Sequence, residues 1–308
     1  MHVHVVGAGI IGCSAAAFLA EGGARVTVHD REGIAAGASG RNSGVIQHPY
    51  DPALVPLYED SIALHREVLD LPAEPAGTLL LDPPPGLHAL PPELHPEPLD
   101  DAHAVEPLVR PGIPAIRIRT GWPVGPKAAT EAWARRAKEA GATFGGQAEP
   151  GADVTLLATG AWTTQVPVRP MWGVTAEIDA RPEHVLEEAG VEDISAGGAL
   201  RLFSLVGDVL GSTVSAEEPD VEATVPLLQE QARRFIGDTR VLRARKCPRP
   251  QSLDGRPIVG RLDHRTFVCT GHGPWGISTG PATARHVARQ ILDGTPPPPE
   301  LNPTRLAP

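Results

Sequence analysis

Three glycines and an acid, at one spacing near the start of the chain, could hold a dinucleotide. Gly7-Ala8-Gly9-Ile10-Ile11-Gly12 follows a short apolar run, His2 to Val6. A small-residue stretch (Cys13 to Glu21) and a second apolar run (Arg25 to His29) follow, the latter ending on Asp30. Strand, glycine turn, helix, strand and acid is the order of a dinucleotide-binding βαβ unit. Gly7 permits the tight turn, Gly9 lets the backbone approach a pyrophosphate, and Gly12 lets the helix close on the sheet. Ile10 and Ile11 open the helix, whose first N–H groups and positive dipole end suit phosphates. Asp30, eighteen residues after Gly12, is placed to accept from a ribose hydroxyl. Which dinucleotide is bound stays open at this point.

The elements that must position this unit are spread along the chain. A glycine-rich loop runs from Gly33 to Gly44, and helical spacing of apolar residues predicts a helix around Pro52 to Leu71. Ten prolines between Pro83 and Pro114 predict irregular cover with short strands and turns. Pro126 to Ala140 reads as a helix, with Pro126 in its first turn and Gly141 at its end. Ala152 to Ala158 reads as a buried strand ending in Thr159-Gly160-Ala161-Trp162. Strand-rich stretches follow at Val166 to Ile178 and Ala199 to Val214, then a helix near Val221 to Ile236 and a strand at Val241 to Lys246. A last strand, Thr266 to Thr270, passes through Gly271-His272-Gly273-Pro274-Trp275-Gly276 into a helix, Pro281 to Leu292.

At 308 residues there is room for two domains, or for one with an inserted lobe. A formal net charge of -10 and the lack of a basic stripe argue against nucleic acid as a partner. Cys13, Cys247 and Cys269 make no disulfide framework. The first strand begins at residue 2, which leaves no room for a signal peptide, and no apolar run could span a bilayer. The expectation is a soluble cytoplasmic protein with no membrane partner; oligomeric state stays open. His2 and His4 share a strand face without further ligands, so no metal is expected.

Four separated segments, taken in order, carry a resemblance. They are GAGIIG with Asp30, the loop Gly37-Ala38-Ser39-Gly40-Arg41-Asn42-Ser43-Gly44, the turn Leu157 to Trp162, and Arg249 to Gly260 followed by Thr270-Gly271-His272-Gly273. Together they resemble the D-amino-acid oxidase superfamily of flavoproteins, which includes glycine oxidase and sarcosine oxidase, over nearly the whole chain. The resemblance implies an α/β fold in which a Rossmann-like FAD-binding domain (1–48, 122–165 and 248–308) is interleaved with a strand-rich α+β substrate-binding domain (49–121 and 166–247). FAD is then the expected cofactor. Arg31, Ala38, Ser39, Arg41, Asn42, Ser43 and Gly44 would join the GAGIIG unit in binding it, as would Thr159, Gly160, Trp162, Gly271, His272, Gly273, Trp275, Gly276 and Ile277. Arg41 is open between a phosphate partner and a surface charge. N–H groups of the Gly271 to Gly276 loop could stabilise negative charge on a reduced flavin.

Arg249 corresponds to the arginine that glycine-oxidase-like members use to fork onto a substrate carboxylate, a task that suits a planar guanidinium. The resemblance implies oxidative deamination of a small amino acid or amine, with hydride passing from the α-carbon to flavin N5 and O2, or another acceptor, taking the electrons. The alternatives are a dehydrogenase with a different acceptor, a biosynthetic C–N oxidation, or a non-catalytic FAD-binding subunit of an amine-oxidising complex. Several positions depart from the family. A second arginine expected after Gly271-His272 is replaced by Pro274-Trp275, and the arginine of a Pro-x-Arg-Gly turn by Trp172. Carboxylate binding would rest on Arg249 with neutral donors such as Tyr50. His48 could line the site, and Trp172 could either wall it or pack the lobe. Only Gly145 to Asp153 is available for a meander that the family carries, so that meander is expected to be lost or cut to a turn. Cys247, seven residues before Asp254, stands where sarcosine oxidases attach their flavin, and alternates with Arg249 on one strand face. Covalent attachment and a small buried hydrophobe are both open for it.

Overall fold

The computed structural model describes residues 1–84, 90–145, 151–189 and 200–306, the side chains of 200–202 excepted. Two sheets organise it. The first holds Ile258–Arg261, Thr266–Thr270, Val154–Leu157, His2–Val6, Arg25–His29 and Thr143–Phe144 in that spatial order. All neighbours run parallel except the first pair. Val3, Val5, Val26, Val28 and Leu156 are buried, as a parallel sheet covered on both faces demands. Helices Ile10–Glu21, Pro126–Glu139 and Gly276–Asp293 pack together on this sheet. Alanines 15, 16 and 17 are fully buried, so the first helix can lie close to its neighbours.

The second sheet runs Val241–Ser252, Val168–Ile178, Val209–Val214, Leu200–Val206, Val185–Glu188, Thr78–Leu81, Ala115–Ile118 and Glu97–Leu99. Helix Val221–Phe235 packs Leu228, Ala232 and Phe235 against Phe203, Leu205 and Leu210 of this sheet. The Asp220 side chain caps that helix by accepting from the amides of Glu222 and Ala223. Strand Val241–Ser252 outruns the Val241 to Lys246 expected, despite Pro248 and Pro250. It lies at the sheet edge, where proline's missing N–H is tolerated, and pairs with Val168–Ile178 along its length. It therefore carries the second sheet past residue 248, so Arg249 belongs to that sheet.

The helix expected over Pro52 to Leu71 is a 3₁₀ turn, Pro52–Leu54, continued by an α-helix, Val55–Arg66. Within the proline-rich stretch the described residues hold one short strand, Glu97–Leu99, and two 3₁₀ turns, Pro92–Leu94 and Ala102–Ala104. The expected loss of the meander falls partly on 146–150, outside the described residues. Among the described residues, no helix is long and apolar enough to cross a membrane and no group of three or more side chains could hold a metal.

The C-terminal helix starts at Gly276, five residues before the Pro281 start that was expected. A proline inside a helix frees the carbonyl four residues earlier. That carbonyl, on Ile277, accepts instead from His65 Nε2 at 2.9 Å. Trp133 Nε1 donates to the other ring nitrogen, Nδ1, at 3.3 Å. The two partners define a neutral imidazole, and burial pushes its pKa down to about 4.

Replacing His65 with Leu would orphan the Ile277 carbonyl and the Trp133 N–H, at about 2–5 kcal/mol for the pair. Urea unfolding of His65→Leu measures it. Because the folded pKa lies below the unfolded one, the neutral ring's contribution is complete above pH 6.5 and is lost as pH falls toward 4. The wild-type protein is expected to lose roughly 3 kcal/mol from this group over that window. A smaller acid-side loss in the variant, measured at matched pH values, is the expected signature.

Candidate active site

One elongated cleft of about 680 Å³ joins the two sheets, and its walls are the segments singled out by their motifs. At one end, Gly7 turns the chain with φ +111°, and its amide donates to the His29 carbonyl at 2.7 Å. A Cβ on Gly7 would fall 2.3 Å from the Ala158 carbonyl oxygen, so the turn from strand to helix requires glycine. Gly12 lines no part of the cleft; a Cβ there would meet the Gly7 carbonyl oxygen at 1.9 Å, which makes it a packing residue.

Ser39 sits over the helix N-terminus, where its Oγ accepts from the Ile10 amide at 2.9 Å. Asp30 uses one carboxylate oxygen to accept from the Ala8 amide at 2.8 Å and the other to accept from Glu32 and Gly33. A carboxylate offers about four acceptor sites, so Asp30 can stiffen the turn and still face a ligand hydroxyl. Beside it, the Arg31 guanidinium lies 4.9 Å from the centre of the Trp162 ring, and both line the cleft. The Thr159 to Trp162 turn is fastened to the neighbouring strand by Thr270 Oγ1, which donates to the Gly160 carbonyl at 3.0 Å.

Ile10, Ile11, Ala38, Asn42, Ser43, Thr159, Gly160, His272, Gly273, Trp275, Gly276 and Ile277 also line the cleft. Arg41, Gly44 and Gly271 do not. Arg41 forms an ion pair with Glu32 at 3.5 Å, while its carbonyl accepts from Thr175 and Arg245 of the second sheet. Gly44 and Gly271 shape turns, with φ of +80° at both.

Extended segments alternate their faces, and this decides which side chains reach the cleft. Val45 and Gln47 line it, whereas Ile46 and His48 point into the core. His48 packs edge-on against Tyr58, and neither of its ring nitrogens has a hydrogen-bond partner among the described residues. Likewise Met171 lines the cleft and Trp172 does not; the Trp172 ring lies 5.9 Å from Lys246 Nζ. Cys247 and Arg249, two apart on their strand, both face inward. Tyr50, half exposed, lines the cleft edge-on to Trp275 (centroids 6.0 Å apart).

Arg249 reaches across strand Val168–Ile178 and is seated by the strand beyond it, Val209–Val214. Its Nη1 donates to the Thr213 carbonyl at 3.2 Å and its Nη2 to Ser212 Oγ at 2.9 Å. No carboxylate of the protein pairs with it among the described residues. A Cβ on Gly173 would lie 2.5 Å and 2.6 Å from the two terminal guanidinium nitrogens, so the glycine is what leaves space for this seat. Cys247 is fully buried; burial pushes its thiol up, against the opposing pull of Arg249, Arg245 and Arg41.

Sequence reasoning missed Gln47, Ser212, Gly173 and, above all, Glu187. Glu187 lines the cleft from strand Val185–Glu188 and takes a hydrogen bond from the Gln47 amide. Burial lifts its pKa to about 7. Its only sequence signal is an acid pair closing a short apolar run, Val185-Leu186-Glu187-Glu188.

The cleft fits FAD on three structural observations. A glycine cradle at Gly7 and Gly9 faces a helix N-terminus, and the Cβ that Gly9 lacks would stand 2.9 Å from Ser39 Oγ. The cleft continues from this cradle to Arg249 without interruption. His272 is held neutral by burial, its pKa pushed down to about 3. Its Nε2 bonds Thr283 Oγ1 at 2.8 Å, and its buried Nδ1 has no partner among the described residues.

These features define a flavin-dependent oxidoreductase site, and the comparisons agree. The family model DAO, FAD dependent oxidoreductase, matches residues 2–290, and the chain belongs to that family. Iminodiacetate oxidase from Chelativorans sp. BNC1 superposes with a TM-score of 0.79 at 21% identity, covering 98% of each chain. Glycine oxidase from Geobacillus kaustophilus gives 0.78 at 20%, again covering 98% of each. Glycine oxidase from Bacillus cereus gives 0.75 at 20%, covering 97% of each. A protein of Schizosaccharomyces pombe assigned to the oxidoreductases is 35% identical over 72 residues, 22% of this chain. The match spans only 19% of that curated relative.

Ser39 is expected to assist FAD binding from its place over the helix N-terminus. Ser39→Ala removes one hydroxyl from that position, so FAD affinity should weaken about 3–10-fold, the worth of one hydrogen bond. Flavin fluorescence titration of the apoprotein measures the change.

Proposed function

We propose that the protein oxidises a C–N bond in a small amino acid or amine. The observation that carries this is Arg249, a guanidinium inside the cleft held by two neutral acceptors with no acid beside it among the described residues. Two of the five guanidinium N–H groups are used by Thr213 and Ser212, which leaves three for a ligand carboxylate. Such a fork fixes the carboxylate in one orientation and thereby the α-carbon attached to it. The similarity in fold to iminodiacetate oxidase and glycine oxidase supports a small substrate of this kind.

FAD, when bound, supplies the two-electron acceptor for the α-hydride. The chain's own residues bind and orient. Arg249 holds the carboxylate, the apolar side chains of Met171 and Val214 exclude water beside it, and Tyr50 and Trp275 close the neighbouring wall. The substrate loses a hydride and a proton to become an imine, and water converts this to a keto acid or aldehyde with release of ammonia or an amine. Two electrons and two protons then pass to O2, giving hydrogen peroxide.

Cys247 fits the role of a small buried residue here, since burial keeps its thiol protonated and only the thiolate is a good nucleophile. Acid precipitation of the flavin-loaded protein should therefore leave the yellow colour in the supernatant. Colour retained in the pellet would assign Cys247 to a covalent link.

Anaerobic mixing of the holoenzyme with glycine, sarcosine, D-proline and a panel of D- and L-amino acids should bleach the flavin with at least one of them; silence across the panel would refute amine oxidation. With the active member, Arg249→Met should raise KM about 10–100-fold, the worth of a hydrogen-bonded charge pair. An unchanged KM would remove Arg249 from its assigned role.

A further inference from the structure

A polar row crosses the second sheet between two opposite charges. It begins at Arg249, whose Nη2 donates to Ser212 Oγ. Gly211, next to Ser212, stands opposite Ser204, and Ser204 stands opposite Glu187. Ser204 Oγ lies 3.3 Å from the place where a Cβ on Gly211 would be, so the missing side chain keeps the row open. Arg249, Ser212, Ser204 and Glu187 all line the cleft.

The spacing follows from the sheet. The Arg249 guanidinium is held at strand Val209–Val214, and the Glu187 backbone lies two strands further on, about 10 Å away at the usual strand spacing. A spacing of that order suits an amino acid with a short basic side chain, its carboxylate at Arg249 and its cation toward Glu187. Glu187 is the unexplained member of this row. Its polar neighbours are neutral: Gln47 gives it one amide hydrogen bond, and its cross-strand partners are Ser204 and Leu80. The next acid, Glu188, is already engaged by Arg234 at 2.6 Å. No cation pairs with Glu187 among the described residues. A half-buried carboxylate without a cation is costly, and a cationic ligand is what would relieve it.

We infer that Glu187 is a specificity residue that binds a cationic group at the far end of the substrate, so that the cleft prefers diamino acids to neutral amino acids of the same length. This rests on the amine-oxidising function proposed above and names its substrate class. The lifted pKa of Glu187 is the expected mark of an acid still lacking its partner.

Binding and turnover can be read separately. Calorimetry on the anaerobically reduced holoenzyme measures affinity without reaction, for ornithine against norleucine and 2,4-diaminobutyrate against norvaline, each in both stereochemical forms. The cationic member of at least one pair should bind about 10-fold tighter or more, the worth of a charge-assisted hydrogen bond. Glu187→Gln should bring that ratio to within about threefold, the residue left by a neutral hydrogen bond. A wild-type ratio near one for both pairs, no binding of any member, or a ratio that survives in Glu187→Gln would overturn the assignment. Bleaching of the oxidised holoenzyme by the same ligands tests amine oxidation itself. Preference without bleaching refutes the reaction and keeps Glu187, and bleaching without preference does the reverse.

Discussion

A guanidinium kept in a cleft with no acid paired to it among the described residues is the constraint around which the second sheet is arranged. Arginine is costly to desolvate, and the nearest carboxylate would normally take it. Here the chain carries a net charge of -10, yet Arg249 is held by a serine hydroxyl and a backbone carbonyl. Three features of the fold make that possible. Gly173 leaves the space, strand Val209–Val214 brings both acceptors, and the edge position of strand Val241–Ser252 tolerates the prolines that flank the arginine.

The nucleotide end solves a different problem, which is close backbone approach. Gly7 passes under Ala158, and Gly12 passes over Gly7, at distances that exclude any side chain. Ser39 then reaches from a separate loop to the first turn of the helix, so the loop and the helix form one rim of the cleft. The C-terminal helix completes the rim with Gly276 and Ile277, and its first turn is tied to the core by His65 and Trp133. A proline that breaks the backbone ladder is thus compensated by a buried neutral histidine, and the cleft wall inherits its position from the core.

This difference explains which parts were legible in the sequence. The GAGIIG turn, Asp30 and the Gly160 turn are local, because each residue's task is set by neighbours a few positions away or by the backbone itself. Arg249 and Cys247 were legible as a pair since alternation along one strand is also local. His48 and Trp172 show the limit. Each lies one residue from a side chain that does reach the cleft, Gln47 and Met171, and a single step along an extended segment reverses the face. Glu187 could not be found that way. Its neighbours Ser204 and Gln47 come from a different strand and from the opening loop, and nothing in Val185–Glu188 announces the cleft.

The same contrast bears on how such a protein could change its substrate. The cradle allows little variation, because its contacts are backbone to backbone and an added methyl group has nowhere to go. The row from Arg249 to Glu187 is built from side chains on four strands of the second sheet, and their side chains are not part of the backbone ladder. An acid at one position of that row, or an arginine in place of Trp275, alters the charge that the far wall presents while the hydride acceptor stays fixed. In this chain the far wall carries Glu187 and Trp275, so under the proposed function selectivity would be set by side chains on the second sheet and the flanking loops, whereas the glycine turns would fix only where the flavin lies.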